Sequence, residues 1–351
     1  MTSRPDFYFA IPGDIRRLTG GYAYARHLLA ALQEAGMCVV HLTLPGSFPT
    51  PHDSALAETD VILSALPDGS TVLVDGLAFG VMDELASRHA TRLKLVALCH
   101  HPLALETGLT PAAAQILQQS EQAALAAAVA VVVTSNVTQK ILIDDFNVVR
   151  AKISVAIPGT EPQKFAVCKG DPPVLLSVAT LTQRKAHNVL IAALASLSHL
   201  PWVARFVGGL EFDPAWVARL QQQVVDNSLT DRIHFLGAIA DPRDEYQHAD
   251  IFVLPSLYEG YGMVFAEALA FGLPIIGARA GAVPEVVPPD AGILVAPGDV
   301  EALANALRQM LTQPVFRASM QEGAQRAAAQ LPRWSDTARV VADLIKRVNT
   351  Q

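Results

Sequence analysis

The stretch Ile251-Phe252-Val253-Leu254-Pro255-Ser256-Leu257-Tyr258-Glu259-Gly260-Tyr261-Gly262-Met263-Val264-Phe265-Ala266-Glu267 decides the fold of this chain. Its first four residues are β-branched, aromatic or aliphatic and stop at a proline, the pattern of a buried strand. Gly260 and Gly262 then bracket Tyr261 in a loop, with the aromatic expected to be exposed. The spacing predicts a helix from Met263 to Gly272, with Pro274 just beyond as a stop. Glu259 falls in the loop at the C-terminal end of the strand. Glu267 falls about one turn into the helix.

That placement has chemical content. Backbone N–H groups at a helix start are unpaired and carry partial positive charge, so phosphate is their natural ligand. Glycines let the backbone come close to it. A carboxylate on each side can accept hydrogen bonds from sugar hydroxyls, as the acidic residue of a dinucleotide fold does on ribose. The ligand this stretch asks for has a diphosphate in the middle and a sugar at each end, the shape of a nucleotide sugar.

With Glu259 and Glu267 set in Pro-Ser-Leu-Tyr-Glu-Gly-Tyr-Gly, the stretch resembles the signature of retaining glycosyltransferases of the GT-B fold, family 4. The resemblance implies an α/β protein with two Rossmann-like domains facing across a cleft. It implies donor contacts from Gly260, Tyr261, Gly262, Met263, Val264 and Glu267, and a catalytic role for Glu259. It also supplies the word retaining, which no spacing gives. Without it, two glutamates on an ordinary loop and helix, with glycines serving only the turn, would remain a reading of the same residues.

Composition agrees with a large buried α/β protein. The 351 residues exceed a usual single core, so two domains are expected. The chain is 51% hydrophobic and 17% charged, which excludes a disordered protein. A net charge of −7 argues against a nucleic-acid partner, although it leaves local or peripheral membrane contact open. Met1-Thr2-Ser3-Arg4-Pro5-Asp6 has no apolar signal region, and the apolar run from Ala123 to Val133 is too short to span a bilayer. Cys38, Cys99 and Cys168 are scattered and read as free thiols of a reducing cytoplasm.

Strand-like and helix-like segments alternate along the chain, which predicts parallel sheets with helices on both faces. The alternation breaks in the proline-rich span from Pro158 to Pro173 and restarts at Val174. The break puts a domain boundary near 162/163, and the resemblance implies an acceptor-binding domain over residues 1–162 plus a closing helix at about 335–351, and a nucleotide-sugar-binding domain over 163–334. No GxGxxG follows the first strand, and no GxxxxGK[ST] occurs, so neither a dinucleotide dehydrogenase nor a P-loop enzyme is supported.

Cleaving a sugar–phosphate bond leaves a diphosphate whose growing charge must be stabilised. No Asp-x-Asp occurs to hold a divalent metal. The task then falls to cationic side chains and helix dipoles, and no cofactor is expected. Arg184 and Lys185 follow the strand Val174 to Val178, and an arginine fork and a lysine point charge both suit a diphosphate. They also match the family's Arg-Lys pair, with Thr180 where relatives often carry another arginine. As an exposed pair at a helix start they should matter little to stability. The resemblance adds Gly20-Gly21, the glycine pair that approaches the donor. It adds a histidine beside the donor sugar in His100-His101-Pro102, where the proline favours His100 and leaves His101 as the alternative. Glu285 is read as a cap of its own helix.

The expected activity is metal-independent transfer of a hexose-type sugar from a nucleoside-diphosphate sugar to an acceptor hydroxyl. The acceptor is a glycan, a lipid-linked sugar or a small molecule. Two alternatives share the architecture or the binding chemistry. One is another GT-B enzyme, such as a nucleotide-sugar epimerase or a phosphorylase. The other is a non-catalytic two-domain sugar-binding protein.

Overall fold

In the computed structural model, which describes residues 5–350, the chain divides into two compact units. One runs up to Gly159 and resumes at Pro332; the other holds Thr160–Leu331. The changes lie slightly upstream of the 162/163 and 334/335 divisions expected from sequence. Gly159 explains the shift. A Cβ there would lie 2.1 Å from the backbone nitrogen of Trp334, so these two positions are pressed together within the first unit.

The first unit carries β1 (Phe7–Pro12), β2 (Val39–Leu44), β3 (Thr71–Asp75), β4 (Lys94–Cys99), β5 (Ala130–Val133) and β6 (Ile153–Val155). They form one parallel sheet in the order β2-β1-β3-β4-β5-β6. The second unit carries β7 (Val174–Val178), β8 (Val203–Val207), β9 (Ile233–Gly237), β10 (Ile251–Leu254), β11 (Ile275–Ala278) and β12 (Gly292–Val295). Their order is β12-β11-β10-β7-β8-β9, again all parallel. Central strands such as β3, β5 and β10 are buried throughout, as strands covered by helices on both faces must be. Strands at the edges, β2 and β12, are only partly buried.

Each order reverses once. In the first unit β1 separates β2 from β3; in the second, β7 and β10 are neighbours although β8 and β9 intervene in sequence. Open α/β sheets bind ligands in the crevice beyond the strand C-termini at such a reversal. The chain segments that leave β7 and β10 carry Arg184-Lys185 and Glu259. Those that leave β1, β3 and β4 carry Gly20-Gly21, Asp75 and His100.

Each sheet has its own core. In the first unit Val72, Val74, Leu95, Ala97 and Val131 meet Leu63, Phe79, Leu125 and Leu142 from the covering helices. In the second, Leu175, Ala204, Phe206, Val253 and Ile276 meet Leu190, Leu194, Leu220, Leu303 and Leu307. Trp202 is fully buried, its indole nitrogen donates to Leu197 O, and the Arg232 guanidinium lies 3.6 Å over its ring.

Helices Asp53–Ser64, Asp83–His89, Asn136–Asp144 and Pro314–Ala328 were not singled out by sequence. The first begins with a His52 that makes no side-chain cap, and its apolar residues lack a clean helical period, so neither start signal nor periodicity marks it. Asn136–Asp144 does carry a cap, Ser135, whose hydroxyl accepts from Thr138 N, and that sign was passed over; two other caps were legible. Asp213 caps Pro214–Asp226, and Asp299 caps Val300–Thr312, each through a side-chain oxygen accepting an amide hydrogen bond.

Candidate functional site

In the second unit, β10 ends at Leu254 and the loop Pro255–Gly262 leads into the helix Met263–Ala270. Gly262 makes the entry with φ +90°, a left-handed conformation that favours glycine. A Cβ there would also strike the Phe265 ring at 2.8 Å. This turn folds the loop back and carries Tyr261 inward. The ring is buried, which corrects the expectation of an exposed aromatic, and burial, with Glu285 adding to it, pushes its phenol up to about 12. Gly260, Met263 and Val264 remain partly exposed at the helix start.

Glu259 is the centre of a charged cluster. Lys185 Nζ donates to its Oε1 at 2.6 Å, and Ser256 Oγ donates to the same oxygen at 2.6 Å. Arg184 Nη1 lies 3.5 Å from Oε2 and donates to Tyr258 O at 2.9 Å. The backbone closes the arrangement. Leu257 N donates to Arg184 O, and Ala282 N donates to Glu259 O, each within 2.9 Å. Gly281, at φ +54°, sits so tightly against Glu259 that a Cβ would lie 2.1 Å from its carbonyl oxygen. Burial pushes the Glu259 carboxyl up, but the Lys185 and Arg184 charges and the Lys185 and Ser256 hydrogen bonds outweigh it. Its pKa falls below the usual carboxylate range.

This geometry corrects one expectation. Lys185 is not an exposed charge: 12% of its side chain is accessible, and it neutralises a carboxylate that is 7% accessible. Removing one partner of a buried pair costs about 3–5 kcal/mol, far more than removing a surface charge. Arg184 and Lys185 lie in a short 3-10 turn, Gln183–Lys185, that ends at Ala186 in the left-handed region, φ +53°. His187 begins the next helix, is fully buried and meets Ser177 Oγ at 3.2 Å. Burial, with Lys185 adding to it, holds its pKa down at about 3, so it is neutral at physiological pH.

Glu267, on the same helix, meets a different setting. Its Oε2 accepts a 2.9 Å hydrogen bond from the Tyr246 hydroxyl. Burial pushes its pKa up, and the phenol hydrogen bond only partly offsets that. Glu285 lies in the first turn of the short helix Val283–Val286 and is exposed.

In the first unit, the helix Gly20–Glu34 starts at the glycine pair. Thr19 precedes it with no side-chain cap. The His100 ring lies against this start: a Cβ on Gly21 would be 3.7 Å from His100 Cδ2. The ring is edge-on to Tyr24 at 5.0 Å, and Nε2 is 3.6 Å from Asp75 Oδ2. His100, rather than His101, is therefore the histidine beside Gly21. Asp75 is buried at the end of β3, and its Oδ1 accepts from Leu77 N at 2.9 Å. Gly76 lets this turn close on β4, since a Cβ would be 2.7 Å from Leu98 O. The loop after His100 is held by Glu121, a buried carboxylate whose Oε2 accepts from Leu103 N at 2.9 Å. Burial pushes that carboxyl up to about 8. Cys99 is buried and its thiol is pushed up by burial and by the Glu121 and Asp75 charges, which makes it a poor nucleophile.

Sequence reasoning missed Asp75, Ser256, Tyr246 and Glu121. Asp75-Gly76 after a strand was the legible sign of the first, and Ser256 stands three residues before Glu259 in the same loop; Tyr246 and Glu121 are joined to the site only through space. Among the described residues, no group of three or more His, Cys, Asp or Glu side chains is placed to hold a metal ion. No described helix is long and apolar enough to cross a membrane.

Two parallel doubly wound units, each with its polar residues gathered at strand C-termini, define the GT-B architecture. A sucrose-phosphate synthase from Thermosynechococcus elongatus superposes with a TM-score of 0.83 at 21% identity, over 98% of this chain and 99% of that one. HepE of Anabaena, solved in complex with UDP and glucose, gives a TM-score of 0.75 at 20% identity, over 96% and 99%. Residues 160–327, nearly the whole of the second unit, match the family model for glycosyl transferases group 1. Among curated relatives, the D-inositol 3-phosphate glycosyltransferase of Xylanimonas cellulosilytica is 33% identical over 179 residues, 50% of this chain and 42% of that protein. A GDP-mannose-dependent mannosyltransferase of Corynebacterium glutamicum, acting on monoacylated phosphatidylinositol monomannoside, is 31% identical over 193 residues, 51% of this chain and 49% of that protein. The chain thus matches about half the length of such relatives.

Proposed function

We propose that this protein is a retaining glycosyltransferase that moves a hexose-type sugar from a nucleoside-diphosphate sugar to an acceptor hydroxyl, without a metal. The observation that carries the reading is the convergence of Arg184, Lys185 and Glu259 beside the start of the Met263–Ala270 helix, where β7 and β10 reverse the sheet order. Two cations against one carboxylate leave a net positive cluster at a helix N-terminus, the electrostatics a diphosphate needs.

In this reading Arg184 and Lys185 stabilise the charge that grows on the leaving diphosphate. Glu267 accepts hydrogen bonds from the ribose hydroxyls, and Glu259 orients the transferred sugar. His100, steadied by Tyr24 and Asp75, and the amides of Gly20-Gly21 give the first unit its share of the donor. The first unit takes the acceptor. The acceptor attacks on the face the diphosphate leaves, and a diphosphate oxygen receives the acceptor proton, so that configuration is kept. A cytoplasmic location fits the free thiols Cys38, Cys99 and Cys168.

One relative named above is GDP-mannose-dependent and one structural neighbour was solved with UDP, so the base is decided by experiment. A panel of UDP-, GDP- and ADP-sugars is screened by thermal shift, and donors that stabilise the protein are assayed for turnover. A donor that raises the melting temperature and is then transferred or slowly hydrolysed is the expected result. Binding with no turnover under any acceptor tried would favour the sugar-binding alternative.

A further inference from the structure

Tyr246 has no place in the scheme above, yet it is fully buried and its hydroxyl is aimed at a residue of the donor site. It lies in the short helix Arg243–Gln247, which follows β9. Its ring stacks on Phe271 at 5.2 Å and on Phe252 at 6.0 Å. Phe252 belongs to β10, and Phe271 caps the C-terminus of the Glu267 helix. The ring is thus fixed by β10 and by the end of the helix that carries Glu267, which leaves its hydroxyl little choice of direction. That hydroxyl donates to Glu267 Oε2 at 2.9 Å.

We propose that Tyr246 is a positioning residue for Glu267: it holds one carboxylate oxygen by hydrogen bond so that the other faces the ribose hydroxyls of the nucleoside diphosphate. The proposal rests on the donor reading given above. The chemistry favours a phenol here. A carboxylate acts on a diol best when ionised, because charged acceptors make the stronger hydrogen bonds. Burial works against ionisation at Glu267, and the Tyr246 hydrogen bond works for it. Phenylalanine at position 246 would keep both ring stacks and lose only that support.

Other charged groups near this helix are engaged elsewhere. On the helix Pro314–Ala328, Arg326 pairs with Asp290, Arg317 donates to Met310 O, and Glu322 is exposed. On Val283–Val286, Glu285 acts on Tyr261. Tyr246 is therefore the titratable partner set against Glu267.

The test uses the full chain, with UDP, GDP and ADP as probes in calorimetry and whichever binds the wild type carried forward. Tyr246→Phe should weaken binding on the order of tenfold near neutral pH, the effect of one hydrogen bond to a charged group. The deficit should shrink as pH rises and Glu267 ionises without help. In steady state KM for the donor should rise while kcat stays within about twofold, because the ribose does not react. The decisive arm is the double variant. In a Glu267→Gln background, Tyr246→Phe should have almost no further effect. Wild-type binding in Tyr246→Phe, or an equal loss in both backgrounds, overturns the proposal and leaves the donor reading standing. Full binding by Glu267→Gln removes the ribose assignment and the proposal with it. A wild-type protein that binds none of the three nucleotides removes the donor reading itself.

Discussion

Glu259 and Glu267 share one loop and helix, yet they sit in opposite environments. Glu259 is buried against Lys185, Arg184 and Ser256, and charge wins over desolvation, so its pKa is lowered. Glu267 is set against a single phenol, and desolvation wins, so its pKa is raised. The lesson is that spacing in a signature fixes where a carboxylate is and says little about its protonation. Protonation is decided by what other elements bring to it: the turn after β7 for Glu259, the helix after β9 for Glu267.

The largest expected effect breaks the cationic side of that contrast. Lys185→Ala should lower kcat by roughly 10²–10³, the usual scale for one lost transition-state donor. It should also lower stability by about 3 kcal/mol, since Glu259 loses its nearest counter-charge. Steady-state kinetics and chemical denaturation read the two. Normal turnover in a correctly folded variant would end the assignment of Lys185 to the leaving group.

Next come the two carboxylates themselves. Glu267→Ala should weaken donor and free nucleoside diphosphate alike, by on the order of ten- to a hundredfold. Glu259→Ala should leave the free diphosphate bound and act mainly on kcat, because the reacting sugar is misplaced. Calorimetry with the nucleoside diphosphate separates them. If both variants lose it equally, the division between ribose and transferred sugar is wrong.

A smaller effect lies in the pH dependence of stability, and its sign differs between the carboxylates. Glu259 has a lowered folded pKa, so its contribution is present above the unfolded value of about 4.5 and is lost as pH falls through the folded pKa. Glu267 and Glu121 have raised folded values, so their contributions are present below about 4.5 and are lost as pH rises. For Glu121 that loss runs up to about 8. Glu259→Gln should therefore flatten the acid limb of a denaturation series, and Glu121→Gln should flatten the limb between about 5 and 8. Identical limbs in wild type and Glu121→Gln would show that this carboxyl is not held neutral by burial.

Least of all is expected from chelation. With no Asp-x-Asp and a cationic pair in its place, excess chelator should leave donor turnover within about twofold. Near-complete loss, restored by Mg²⁺ or Mn²⁺, would show that the Arg184-Lys185 cluster does not work alone.

Much of the scaffold was legible in sequence because its signals are local. Each of the described strands is a short apolar run with a turn signal nearby, and the two whose bounds were read, Val174–Val178 and Ile251–Leu254, are where sequence put them. The loop at Glu259 was legible for the same reason: a strand, a proline and two glycines stand together. Tyr261 was misjudged because its burial depends on the left-handed turn at Gly262, and a sequence of alternating glycines does not say which way that turn folds. Helices such as Asp53–Ser64 were missed where no cap marks a start. Tyr246 and Glu121 carry no local signal of function at all. Tyr246 meets Glu267 only because β10 and the helix after β9 are brought together by the sheet order, a contact that spacing along the chain does not contain.

The contact between Gly159 and Trp334 has a consequence for the chain as a piece of modular construction. The first unit releases the chain at Gly159 and takes it back at Pro332, at points that touch. Trp334 then anchors the returning helix, Trp334–Thr350, by stacking on His27 at 4.8 Å and meeting Tyr24 edge-on at 5.5 Å. The second unit is in this sense a cassette inserted through a single gate. A donor-binding cassette from a relative could be exchanged at that gate without rethreading the sheet that receives it, because both seams fall at one spot and no strand of the host lies between them.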